Sequence, residues 1–118
     1  MVYTGTVVVT KVAKNVLKIH AADFDEDGEN TQIDLSAHLM EGAQDFTIQV
    51  ARTAGSEDVI RLDLKASNDA ITYTQIIATT AANAFAAVTG KGCKHLSLTC
   101  TTVGVGNTLD AYVYCTIN

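Results

Sequence analysis

Apolar and polar residues alternate along most of the chain. Ile33, Leu35, Ala37 and Leu39 are separated by polar or small neighbours, as are Phe46, Ile48 and Val50. Arg61, Asp63 and Lys65 interrupt Ile60, Leu62, Leu64 and Ala66. Ser97 and Thr99 interrupt Leu96, Leu98 and Cys100. The last run sets Leu109, Ala111, Val113, Cys115 and Ile117 against Asp110, Tyr112, Tyr114 and Thr116. Successive side chains of a strand point to opposite faces, so this is the period of half-buried antiparallel strands. The abundance of Val and Thr suits strands as well.

The pattern predicts strands over 3–10, 15–24, 31–39, 45–52, 58–66, 71–79, 94–102 and 108–117. Turn residues fall between them: Asp27-Gly28, Gly42, Ala54-Gly55-Ser56, Ser67-Asn68-Asp69, Gly90-Lys91-Gly92 and Gly104-Val105-Gly106-Asn107. About eight short strands at this spacing predict an all-β fold, an antiparallel, jelly-roll-like β-sandwich with little helix. Segments 36–41 and 81–87 are the only helical candidates, each a single turn. No linker or repeat divides the 118 residues, so 1–118 is expected to be one domain, with 1–16 an edge strand or an inter-subunit arm.

Composition narrows the function. Eight Lys and Arg against thirteen Asp and Glu give a net charge of −5, which disfavours a nucleic-acid backbone as partner. No apolar run approaches the ~20 residues that cross a bilayer, so no membrane partner is expected. The first fifteen residues lack the order of a signal peptide. With three cysteines and no CxxC pair, the expectation is reduced thiols in a cytoplasm, neither a disulfide framework nor a zinc ribbon. Cys100 and Cys115 share the phase of the apolar face and read as core; Cys93, beside a glycine turn, reads as exposed.

The most suggestive chemistry is in 23–34, DFDEDGENTQID. Its D-x-D-x-D-G spacing matches the start of a calcium loop, with Asp23, Asp25, Asp27, Glu29 (through its carbonyl), Thr31 and Asp34 at the ligand positions and Gly28 at the turn. Asn30 stands where an apolar residue normally packs, and Asp34 where a longer Glu is expected. The flanks alternate as strands, whereas that calcium loop needs helices. The favoured reading is therefore an acidic hairpin tip with no metal or other cofactor, and calcium is the alternative. His20, His38 and His95 lack the spacing of a metal cluster. A Cys93–His95 nucleophile lacks an orienting third group. GKG at 90–92 and GVGN at 104–107 lack the following helix of a phosphate loop and read as hairpin turns.

Residues 58–117 carry a resemblance. A strand, VIRLDLKASND, is followed by ITYTQIIATTAA and by a closing KHLSLTCTTVGVGNTLDAYVYCTI, read as a final hairpin. The Ser67-Asn68-Asp69 turn, the Ala-Thr-rich strand end and the closing pattern resemble the small β-sandwich virion structural proteins of tailed bacteriophages, capsid decoration (cement) proteins and tail-associated modules. Ala70, where Gly often follows the Asp, and Tyr73, where Trp is common, depart from that pattern. The resemblance implies a virion protein made in a bacterial host's cytoplasm. It also implies a non-enzymatic homo-oligomer that stabilises a shell by contacts with a major capsid protein or another virion protein.

The outward phase of Tyr112 and Tyr114, with Tyr3, Val7 and Val9 of the apolar N-terminal segment, supplies the expected interface. The alternative is a tail- or fibre-associated carbohydrate-binding module, against which stand 6% aromatics and no Trp. No nucleophile–base set supports an enzyme.

Overall fold

A strand with an apolar residue at every second position must bury that face against another layer. The computed structural model describes residues 3–35, 45–57, 59–81 and 83–116. In it the alternating segments become β1 (Thr6–Ala13), β2 (Val16–Phe24), β3 (Glu29–Asp34), β4 (Asp45–Ala54), β5 (Arg61–Ser67), β6 (Thr74–Thr79), β7 (Ala84–Val88), β8 (His95–Thr102) and β9 (Thr108–Thr116). One sheet has the order β1-β2-β9-β4-β7 and the other β3-β8-β5-β6, with every pairing antiparallel. From β2 onward these are the two sheets of a jelly roll, and β1 extends the first at its edge. The predicted sandwich is therefore the observed one, with nine strands among the described residues.

The two sheets meet through the predicted apolar phase. Leu17, Ile19 and Ala21 of β2, Ile48 and Val50 of β4, and Ala111, Val113 and Cys115 of β9 are fully buried. So are Leu62 and Leu64 of β5 and Leu96, Leu98 and Cys100 of β8. Cys93 corrects the reading of an exposed thiol: it is 6% exposed and joins the core. Burial pushes Cys93 up to about 11 and Cys100 and Cys115 up to about 12, so almost none of the reactive thiolate exists near neutrality. The expected result is that an aromatic disulfide reagent labels none of the three cysteines of the native protein within minutes at pH 8, and all three after unfolding.

Connectivity is where the turn readings need correction. Strands β2 and β3 lie in different sheets, so Asp27-Gly28 turns an arch between sheets and not a hairpin tip. The same holds for GKG between β7 and β8 and for GVGN between β8 and β9, so the closing segment is no hairpin. Turn residues reverse the backbone but do not say which sheet the next strand joins. The sequential hairpins are β1–β2, turning at Lys14-Asn15, and β5–β6. The helical reading of 81–87 fails too, because Ala84–Val88 is a strand paired with β4. The helical candidate 36–41 and His38 lie outside the described residues.

The β5–β6 turn shows how a short sequence fixes its geometry. Asp69 accepts backbone N–H bonds from Thr72 (2.8 Å) and Ile71 (2.9 Å) and a bond from the Ser67 hydroxyl (2.8 Å). Ala70 follows at φ +61°, the left-handed region that favours glycine. The N–H donors of Thr72 and Ile71, then the Ser67 hydroxyl, hold the Asp69 carboxyl down at about 2. A carboxyl lowered on folding stabilises above its ordinary value, near 3.8, and loses that contribution as pH falls through about 2. The amide resonances of Ile71 and Thr72 should therefore titrate together with a midpoint near 2, and Asp69→Asn should remove the transition.

Candidate functional site

The inward phase of the five-stranded sheet builds the core, so the opposite phase builds its outer face. The register aligns this face in two rows. Val8, His20, Tyr112, Gln49 and Phe85 form one; Thr10, Lys18, Tyr114, Thr47 and Ala87 form the other. Two adjoining hollows follow. Lys18, Thr47, Gln49, Phe85, Tyr112 and Tyr114 line about 160 Å³. Val8, Thr10, Val12, Lys18, His20 and Tyr114 line about 420 Å³. Tyr114 and Lys18 stand on the ridge common to both.

One side of this face is tethered from beneath. His20 Nε2 lies 2.9 Å from Asp110 Oδ2, and Asp110 Oδ1 accepts the Asp23 N–H at 3.0 Å. The imidazole stacks on Tyr112 with ring centroids 4.3 Å apart and planes 11° apart. Asp110 is buried, so its two contacts fix the ring that fixes Tyr112. Tyr114 and Phe85, by contrast, are 48% and 69% exposed. Three of the seven Tyr and Phe residues thus gather on one outer face. A larger hollow of about 610 Å³ lies at the loop end beside Asp25, Glu26, Asp27 and Glu57, and among the described residues no aromatic side chain lines it.

The acidic loop uses its carboxylates to hold backbone. Glu29 is 1% exposed; its Oε1 accepts the N–H groups of Asp25 (2.8 Å) and Glu26 (2.9 Å), and its Oε2 that of Thr4 (3.2 Å). Burial alone would raise the Glu29 carboxyl, but these donors outweigh it and hold the group below its ordinary value. Burial and the neighbouring Glu29 push Asp25 up. Asp27 Oδ1 accepts the Val103 N–H at 2.8 Å, tying this arch to the β8–β9 connection. Asp23 sits at φ +66°. Thr31 and Asp34 lie farther along β3, where Asp34 Oδ1 is 3.8 Å from His95 Nδ1. Five residue steps of strand separate Asp34 from Glu29 by roughly 16 Å. The six calcium-ligand candidates are therefore not drawn into one shell, and among the described residues no group of three or more His, Cys, Asp and Glu side chains is placed to hold a metal ion.

The interface candidates divide. Tyr112 and Tyr114 lie on the outer face. Val7 and Val9 pack against the core, so the exposed apolar positions of β1 are Val8 and Val12, at 53% and 57%. Tyr3 also belongs to the protein's own packing. Its ring lies 4.6 Å from Phe24, and its hydroxyl donates to the carbonyls of Thr6 (3.1 Å) and Ala22. Gly5 runs so close to the Ala22 carbonyl and the Tyr3 ring that any Cβ would overlap both. His20 and His95 lie in different sheets and do not converge. Phe85, Lys18 and His20 were not among the site residues read from the sequence. Their signal was the strand phase they share with Tyr112 and Tyr114, which becomes visible only with the sheet order.

No family model matches the chain, and no curated protein matches it by sequence. Solved structures match its fold. CBM32-3 from a family 31 glycoside hydrolase from Clostridium perfringens is 15% identical, with a TM-score of 0.53 over 90% of this chain and 78% of that one. CpGH89CBM32-6, produced by Clostridium perfringens, is 13% identical, with a TM-score of 0.51 over 96% of this chain and 77% of that one. The CBM32 of AlyQ, in complex with 4,5-unsaturated mannuronic acid, is 14% identical, with a TM-score of 0.51 over 96% and 95%. At these identities the likeness establishes that the chain has the β-sandwich fold these carbohydrate-binding modules share.

Proposed function

We propose that the protein is a non-catalytic glycan-binding module whose ligand lies across the outer face of the five-stranded sheet. One observation carries this reading: Tyr112, Tyr114 and Phe85 converge with Gln49, Thr47 and Lys18 on a single hollow. A sugar presents apolar C–H faces and a rim of hydroxyls. Aromatic rings cover the faces, and amide, hydroxyl and ammonium groups satisfy the rim. The sandwich shared with carbohydrate-binding modules supports the reading. The low aromatic content weighs less against it once three rings share one face. The test is binding to a glycan panel and to insoluble polysaccharides. Tyr114→Ala and Phe85→Ala, with unchanged circular dichroism, should each weaken the best glycan about tenfold, ~1.4 kcal/mol. Variants that bind as the parent does, or a parent that binds no glycan, would remove the proposal.

A second reading is favoured by a different feature. Strand β1 is a sheet edge with exposed Val8 and Val12, and an edge with free backbone donors and acceptors invites a partner strand. This suits a decoration protein of a phage virion, a homo-oligomer resting on a major capsid protein, as the resemblance of 58–117 suggests. On that reading, changing Val8 and Val12 together to Lys should convert an oligomer into a folded monomer in sedimentation and abolish recovery on purified particles. A parent that sediments as a monomer and is absent from particles would dismiss it.

A further inference from the structure

Two hollows meet at one cation. Lys18 lines both, together with Tyr114, and among the described residues no carboxylate lines either. On a chain of net charge −5 this is not the average surface. Lys18 is half-buried between its cross-strand neighbours Thr10 and Tyr114, and it forms no ion pair among the described residues. The carboxylates nearest the face are occupied. Asp110 holds His20 and the Asp23 N–H, and Asp45, at the β4 end beside Tyr114, accepts the Gly90 N–H at 3.0 Å. A lysine with no anion beside it among the described residues favours a ligand that brings one.

Resting on the glycan-binding reading of this face, we infer that its ligand is an acidic saccharide, bearing a carboxylate or a sulfate ester. The anion meets Lys18 on the ridge while its ring and the next lie over Tyr114, Tyr112 and Phe85. Tyr112 and Phe85 stand two strands apart, about 10 Å at ordinary strand spacing, which suits a short oligosaccharide better than a single sugar. The second hollow, lined by Val8 and Val12 among others, takes the sugar on the other side of the acidic one.

The test compares matched pairs by calorimetry at low salt: trigalacturonate with its methyl ester, and 6′-sulfolactose with lactose. The expected result is at least a tenfold preference for the acidic member of one pair or of both. The preferred pair tells carboxylate from sulfate. The preference should shrink in 0.5 M salt, as an exposed ion contact does at a short screening length, roughly 4 Å there. In Lys18→Gln the ratio of acidic to neutral affinity should fall toward one, and Lys18→Arg should restore it. Equal affinity for both members in the parent overturns the acidic assignment and leaves the glycan-binding reading standing. A ratio unchanged in Lys18→Gln also overturns it. Binding of neither member of either pair, nor of any glycan on the panel, overturns both.

Discussion

Glu29→Ala should lower stability by roughly 3–5 kcal/mol, a large share of what a domain of this size has. The carboxylate lies at the joint between β2, β3 and the segment leading into β1, and it is the partner of three backbone donors. Charge-assisted bonds of this kind contribute about 1.5–3 kcal/mol each, less what water recovers when a cavity opens. The methyl group of alanine satisfies none of the three. Glu29→Gln keeps the shape and one acceptor oxygen, so it should cost only about 1–2 kcal/mol. Denaturant midpoints measured on both variants check the order. The folded Glu29 carboxyl is held below its ordinary value of 4.5, so its contribution is complete above that value and fades as pH falls below it. Parent and alanine variant should accordingly draw together on acidification. Equal loss in the two variants at pH 7 would mean that the charge of the carboxylate, and not the number of acceptor oxygens, sets the cost.

Much of the fold is legible in the sequence because burial has a period. Leu17 with Ile19, Phe46 with Ile48 and Leu96 with Leu98 each mark a strand and the side of it that faces inward, and the structure keeps those sides. What the sequence does not carry is which strand lies beside which. Asp27-Gly28 has the composition of a hairpin turn, yet its flanks part to different sheets. The choice is made by Gly28 N–H bonding to Cys100 O at 2.7 Å and by Asp27 holding Val103, partners more than seventy residues away. β7 was hidden for another reason. Its AFAAV sequence has high helix propensity at its alanines, and pairing along β4 overrides that local preference.

The candidate site follows the same division. The outward phase of Tyr112 and Tyr114 is a local property of β9, so it was readable. Phe85 joins them only because β7 docks on the far side of β4, and Lys18 and His20 only because β2 docks on the other edge of β9. The acidic run misled in the opposite sense. Its D-x-D-x-D-G spacing suggests ligands pointing at a common centre. The Asp27 carboxylate instead holds the Val103 N–H, and Asp34 leaves along β3. A spacing motif fixes a ligand shell only if the backbone between its members curls, and here it runs straight from Glu29 onward.

Asn107→Asp is expected to be more damaging than Asn107→Ala, although it changes a single atom type. Asn107 is 2% exposed and ties the β8–β9 connection to the segment before β5. Its amide nitrogen donates to the carbonyls of Glu57 (2.7 Å) and Val103 (2.9 Å), and its oxygen accepts the Glu57 N–H at 3.2 Å. Alanine leaves two carbonyls and one N–H without their partner, a loss of about 2–4 kcal/mol. Aspartate keeps the acceptor but turns a second oxygen, carrying charge, toward two carbonyl oxygens, which adds repulsion and the cost of burying the charge, for a total of about 4 kcal/mol or more at pH 7. The folded state must then favour the protonated acid, whose O–H can donate to one of the carbonyls. Its carboxyl is therefore raised above the unfolded value of about 3.9. A group raised on folding contributes its full stability below the unfolded value and loses it as pH rises through the folded one. The deficit of the aspartate variant relative to the parent should thus narrow at pH 4 and widen to a plateau toward pH 8, whereas that of the alanine variant should hardly change. Urea unfolding of the three proteins at both pH values checks this. An aspartate deficit that is the same at pH 4 and pH 8, or smaller than that of alanine at pH 7, would show that the side chain at 107 faces water and that the two loops are joined by something else.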